Sequence, residues 1–118
     1  MIYDITPVPK PRMTQRDRWQ KRPAVVRYRN FCDQVREAGV AVDQQGAAII
    51  FVIPMPKSWS KKKRVQMAGA PHQQKPDLDN LIKALLDAVH DEDCAVWSLA
   101  AEKRWGSTGG IIITGSNA

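Results

Sequence analysis

Apolar residues along this chain recur with two different periods, and the change of period marks out the elements. Ile2 to Val8 alternates roughly and then meets Pro7, Pro9 and Pro11, which predicts a first strand over residues 1–6 ended by the prolines. Residues 10–22 show no apolar period and predict a loop. Pro23 suits a first helical turn, and Tyr28, Phe31, Cys32 and Val35 follow at i, i+3, i+4 and i+7, so a helix is expected from Pro23 to Ala38, stopped by Gly39. Ala47 to Ile53 is a continuous apolar run closed by Pro54, the pattern of a strand covered on both faces. Ser58 to Gly69 reads as a short basic helix, capped by Ser58 and ended by Gly69, with Trp59 and Met67 turned to the core.

A further helix is predicted from Asp77 to His90, with Leu78, Leu81, Ile82, Leu85, Leu86 and Val89 as its apolar stripe. Two last strands, 95–105 and 110–115, flank Gly106-Ser107-Thr108-Gly109, a sequence suited to a hairpin turn. The order β-α-β-α-α-β-β predicts an α+β two-layer sandwich. It has a small mixed sheet of about four strands and forms a single domain over residues 1–118.

Charge changes this picture from a fold to a partner. The 118 residues carry a formal net charge of +6, which favours a polyanion, and nucleic acid is the commonest one. Eight of the 18 Lys and Arg lie in residues 10–29 and five in 57–64. Lys10, Arg12, Arg16, Arg18, Lys61, Lys62, Lys63, Arg64 and Lys75 are the candidate DNA contacts, and phosphate contacts of this kind carry little sequence information. Trp19, within the first basic segment, suits either stacking on an unpaired base or anchoring in the core. There is no membrane-spanning apolar run and no secretory signal, so a cytoplasmic protein is expected, with Cys32 and Cys94 reduced. Two separated cysteines and the isolated His72 and His90 do not form a zinc site.

The acid of this basic chain is concentrated in one stretch. Asp77 and Asp79 stand at the expected helix start, and Asp91, Glu92 and Asp93 follow its end. Asp79, Lys83 and Asp87 fall at i, i+4 and i+8, one row along the helix. Three carboxylates, Asp77, Asp79 and Asp93, converging from a helix start and a strand end would make a hard oxygen site for Mg²⁺, with Mn²⁺ able to replace it. Such an ion binds phosphate oxygens and activates water. Lys83 would hold a phosphate oxygen or the attacking water. A plainer reading stands beside this: Asp77 as a helix cap, and Asp79 with Lys83 as a surface pair worth a few tenths of a kcal/mol. Against it, clustered acid on a DNA-binding surface repels phosphate unless a cation bridges the two.

The run Asp77-Leu78-Asp79-Asn80-Leu81-x-Lys83-Ala84-x-x-Asp87-Ala88, followed by Glu92-Asp93 and Val96, resembles the RusA family of Holliday-junction resolvases of phage and prophage type. The segments Pro7-x-Pro9-Lys10-Pro11-Arg12 and Pro56 to Arg64 extend the resemblance over most of the chain. The resemblance implies a Mg²⁺-dependent, structure-specific endodeoxyribonuclease that resolves four-way junctions by paired symmetric nicks in DNA recombination and repair. It implies catalytic Asp77, Asp79, Lys83 and Asp93, metal ligands Asp77, Asp79 and Asp93, and action as a homodimer. Two departures stand out: the link from the helix to the acidic pair is short, and Asp91 competes with Asp93 for the third ligand position. Asp87 shares the helix row but is expected to be a supporting or solvated carboxylate. The same site would serve a nuclease of flaps or other branched DNA, and a basic binding module with a structural acidic helix would carry the same charges.

Overall fold

A computed structural model describes residues 1–11, 22–42, 45–90 and 95–114. Strand β1 (Ile2–Tyr3), helix α1 (Pro23–Glu37), strand β2 (Gln45–Pro54), helices α2 (Lys61–Met67) and α3 (Leu78–Val89), and strands β3 (Ser98–Gly106) and β4 (Gly110–Thr114) follow in that order. The fold is α+β with the element order the sequence predicts. Its mixed sheet runs β1-β4-β2-β3: β3 is parallel to β2, whereas β4 is antiparallel to both β2 and β1.

The long apolar run explains the centre of the sheet. β2 offers both edges to neighbours, and its side chains Ala47, Ile49 and Phe51 point alternately to one face, where they are buried. There they join Ile111 and Ile113 of β4, Tyr3 of β1, Phe31 and Val35 of α1, and Leu81, Ala84 and Leu85 of α3 in one core. Both helix registers follow the predicted stripes, and Val25, Ala84 and Ala88 add small buried positions to them. Gly39, at φ +67°, ends α1 in the left-handed conformation that a helix C-terminus favours. Arg36, in the last turn of α1, donates from Nε to the Ala88 carbonyl (3.2 Å), so it supplies a partner near the C-terminus of α3.

Four expectations change. First, β3 and β4 are not a hairpin, because β2 lies between them. The Gly106–Gly109 link instead passes over the end of β2, where Met55 N–H donates to the Gly106 carbonyl at 2.9 Å. A Cβ on Gly106 would fall 2.4 Å from Val52 Cγ1, and one on Gly109 2.4 Å from Thr6 Oγ1. These glycines are required by close approach rather than by a tight two-strand turn. Second, helices cover only one face of β2. On the other, Ala48, Ile50 and Ile112 line a shallow hollow with Ala100, Glu102 and Thr114, and Ile2 beyond them is 78% exposed. Third, β1 is confined to Ile2–Tyr3. Fourth, α2 starts at Lys61 with Ser60 as its cap, the Ser60 hydroxyl accepting from Lys63 N–H at 3.2 Å. No residue of α2 is buried, and Trp59 packs on Trp105 outside the main core, ring centres 4.8 Å apart.

Candidate active site

Helix α3 turns Leu81, Ala84, Leu85 and Ala88 inward, which leaves Asp79, Lys83 and Asp87 as a row on its flank. Asp77 is the residue before the helix. Its backbone is extended (φ −69°, ψ 145°), and its carbonyl accepts the first helical bond from Leu81 N–H at 3.2 Å. Its carboxylate makes no cap hydrogen bond. The ordinary structural duty of an aspartate here is therefore not performed. Asp77 and Asp79 are both exposed, and among the described residues neither forms an ion pair or a side-chain hydrogen bond. Two unpaired carboxylates at a helix N-terminus are tolerated because the helix dipole is positive there.

The lead-in to this helix is strapped to the outer edge of β3. Gly69 N–H donates to the Trp105 carbonyl (2.8 Å), Trp105 N–H to Ala70 (2.9 Å) and His72 N–H to Lys103 (3.0 Å). The ammonium of Lys103 then donates to the carbonyls of Gln74 and Pro76, each at 2.8 Å. The Lys75–Pro76 peptide is cis. Covering an edge strand in this way also removes a site for unwanted pairing. Lys103 was not a candidate from sequence, and a lysine in a strand gives no signal of such a role. His72 is 4% exposed and stacks on Trp105 at 4.3 Å between ring centres. Burial, and then the charge of Lys103, hold its imidazole pKa below the ordinary value.

In front of Asp77 lies an open cleft of about 500 Å³ lined by Pro9, Lys10, Lys75, Pro76, Asp77 and Asn80. Lys10 reaches it because its N–H donates to the Asn80 carbonyl (3.5 Å) and its ammonium to Asp87 Oδ2 (2.5 Å). Asp87 Oδ1 is 3.3 Å from Lys83 Nζ. Asp87 is thus paired on both oxygens, the supporting rather than the solvated of the two expected roles. The structure brings together Asp77, Asp79, Lys83, Asp87, Lys10 and Lys75 of the sequence candidates. On α2, Lys61, Lys62 and Lys63 are exposed, Lys63 Nζ lies 4.3 Å from the Trp59 ring centre, and Arg64 Nη1 donates to the Pro56 carbonyl at 3.4 Å. Asp91, Asp93, Arg12, Arg16, Arg18, Trp19 and Cys94 lie outside the described residues. Among the described residues no three His, Cys, Asp or Glu side chains come together to hold a metal ion. Among them, too, no helix is long and apolar enough to cross a membrane.

No curated protein and no solved structure matches the chain. Residues 4–114 match the family model described as Endodeoxyribonuclease RusA. That match begins one residue after β1 and closes on the last residue of β4, so it takes in α1, the β3 strap and the whole of α3. The chain belongs to the RusA endodeoxyribonuclease family.

Proposed function

We propose that this protein is a Mg²⁺-dependent endodeoxyribonuclease that resolves Holliday junctions by paired, symmetric nicks, acting as a homodimer in DNA recombination and repair. The observation that carries this reading is the uncapped, unpaired Asp77 and Asp79 beside a cleft walled by Lys10 and Lys75. In a chain of net charge +6, acid beside Lys10 and Lys75 that has no ion-pair partner among the described residues suits a cation shared with phosphate.

The donors fit a hard divalent ion: Asp77 and Asp79 offer carboxylate oxygens that have no partner among the described residues, and Asp93 is proposed as the third. Such an ion, when bound, supplies positive charge for the phosphate and for the oxygen that departs from it. The chain's own groups do the rest. Lys75 and Lys10 draw the strand's phosphates into the cleft, and the start of α3 presents further N–H groups and a positive dipole to them. Lys83, one turn beyond Asp79, adds a cation beside the reacting phosphate, which stabilises negative charge as it develops. The exposed Lys61, Lys62 and Lys63 hold a neighbouring arm of the duplex through its backbone, so binding depends on shape rather than sequence. Two nicks in opposed strands require two such sites, which a twofold dimer provides on one face. A protein resolving recombination intermediates or phage DNA works in the cytoplasm of a bacterium or an infected cell.

The test is cleavage of a labelled panel: four-way junction, flap, duplex and single strand, each with Mg²⁺. The expected result is paired symmetric nicks confined to the junction. Asp79→Asn should lose cleavage by about a thousandfold or more while keeping or tightening junction binding, since it removes a ligand and a repelling charge together. Flap cleavage without junction nicks would make this a nuclease of other branched DNA. Binding without any cleavage by the unmodified protein would make it a binding module.

A further inference from the structure

Asp87 stands apart from the acids at the start of α3. It lies eight residues beyond Asp79, about 12 Å along the helix axis, so the two carboxylates cannot share one small ion. Its surroundings are different as well. Asp87 is only 20% exposed, and each oxygen has its own cation: Lys10 on Oδ2 and Lys83 on Oδ1. Lys10 belongs to the segment before α1, 77 positions away in sequence, whereas Lys83 belongs to the same helix. The segment carrying Lys10 touches α3 a second time, through its N–H on the Asn80 carbonyl. Asn80 and Asp87 are about two turns apart, so Lys10, bonded through its backbone to one and through its ammonium to the other, lays its side chain along the helix.

Other charged groups face this position. Tyr28 of α1 is buried nearby, and burial first, then the neighbouring Cys32 side chain and the charge of Asp87, raise the pKa of its hydroxyl above the ordinary value. Arg36 of α1 acts on Tyr28 in the opposite sense. Without the Asp87 carboxylate the ammonium groups of Lys10 and Lys83 repel each other, and Lys10 loses the contact that holds it over α3.

We propose that Asp87 is a positioning residue: its two oxygens hold Lys10 and Lys83 in place, dock the Pro9–Lys10 segment on α3, and so form the phosphate-binding wall of the cleft beside Asp77. Lys10 is then a strand-holding residue of the same site. This rests on the nuclease reading above, but its geometry is measurable without catalysis.

The experiment combines a double-mutant cycle with amide exchange on the full chain. Asp87→Asn and Lys10→Ala should each slow single-turnover junction cleavage by about tenfold to a hundredfold, the usual cost of misplacing a group in a reacting complex. The double variant should be no slower than either alone, since both remove the same contact. Asp87→Glu, which keeps the charge on a longer stem, should recover part of the rate. In the absence of DNA, Asp87→Asn should speed exchange of the Lys10 amide and leave the core strand amides of Phe51 and Ile111 protected. Additive rate losses, or unchanged Lys10 exchange, would overturn the proposal. If Asp87→Asn does not fold, Lys10→Ala against Lys10→Arg decides it: arginine should restore the rate, and equal rates for both would reject the role of Lys10. Absence of cleavage by the unmodified protein, with Lys10 exchange responding to Asp87 as stated, would reject the nuclease reading and leave the docking intact.

Discussion

The two ends of helix α3 carry aspartates, two of them (Asp79 and Asp87) on one row, and treat them in opposite ways. At the N-terminal end Asp77 and Asp79 are exposed, and among the described residues neither has a partner. At the C-terminal end Asp87 is half-buried, with a lysine on each oxygen. Asp79 and Asp87 share residue type and helical face, so neither decides the role. What differs is what the rest of the chain brings. The β3 strap delivers an empty-handed helix start, whereas the N-terminal segment delivers a cation to Asp87. An acid already satisfied by two cations has no free oxygen pair to offer an ion, and an acid left without partners has both.

The largest effects should separate these ends outright. Asp77→Asn, like Asp79→Asn, should remove cleavage by about a thousandfold or more with little change in thermal stability, because neither carboxylate makes an ion pair or side-chain hydrogen bond among the described residues. Asp87→Asn should cost far less in rate, and its loss should appear in the placement of Lys10. Equal losses at all three positions would erase the contrast.

Helix α2 offers an intermediate effect and a control for charge alone. Replacing Lys61, Lys62 and Lys63 with alanine should weaken junction binding by about tenfold to a hundredfold and flatten the log–log salt dependence by up to about 3, one unit per lost phosphate contact. The rate at saturating protein should not change, since α2 lies outside the cleft. A fall in that rate would mean that basic charge anywhere, rather than the cleft wall, supports the chemistry.

The smallest effect concerns the strap that carries the Asp77 end. His72 is buried with Nδ1 unpartnered, and its pKa is lowered from the ordinary 6.5 by burial and by Lys103. The unfolded chain takes up this proton more readily than the folded one, so the folded state is favoured in full above 6.5. That advantage is lost as the pH falls below 6.5 towards the depressed folded value. Urea midpoints measured from pH 7.5 to 5.5 should therefore fall more steeply for the unmodified protein than for His72→Leu. Parallel curves would remove His72 from the account.

Much of this was legible in the sequence where contacts are local. The apolar stripes of α1 and α3, the stop at Gly39 and the acidic helix start all follow from spacing within one element. The strand order was not legible. Gly106 and Gly109 mimic a hairpin signal, yet they serve close passage over β2, and only the tertiary neighbours Val52 and Thr6 reveal it. The apolar run of β2 suggested two covered faces, but residues such as Ile50 and Ile112 stay half-open on a sheet with helices on one side. His72 looked incidental because its burial against Trp105 depends on the strap. Whether Asp87 is supporting or solvated was undecided in the sequence because its partner Lys10 is 77 positions away. Side chains whose role is set by long-range partners leave no periodic trace.

The most direct measurement of the central claim is Mn²⁺ binding without DNA, followed by the loss of the free-ion electron paramagnetic resonance signal on titration. The unmodified protein and Asp87→Asn should bind the ion with similar affinity, and Asp79→Asn should not bind it in the same range. Loss of binding in Asp87→Asn as complete as in Asp79→Asn, or retention in both, would contradict the assignment of the metal to the N-terminal end of α3.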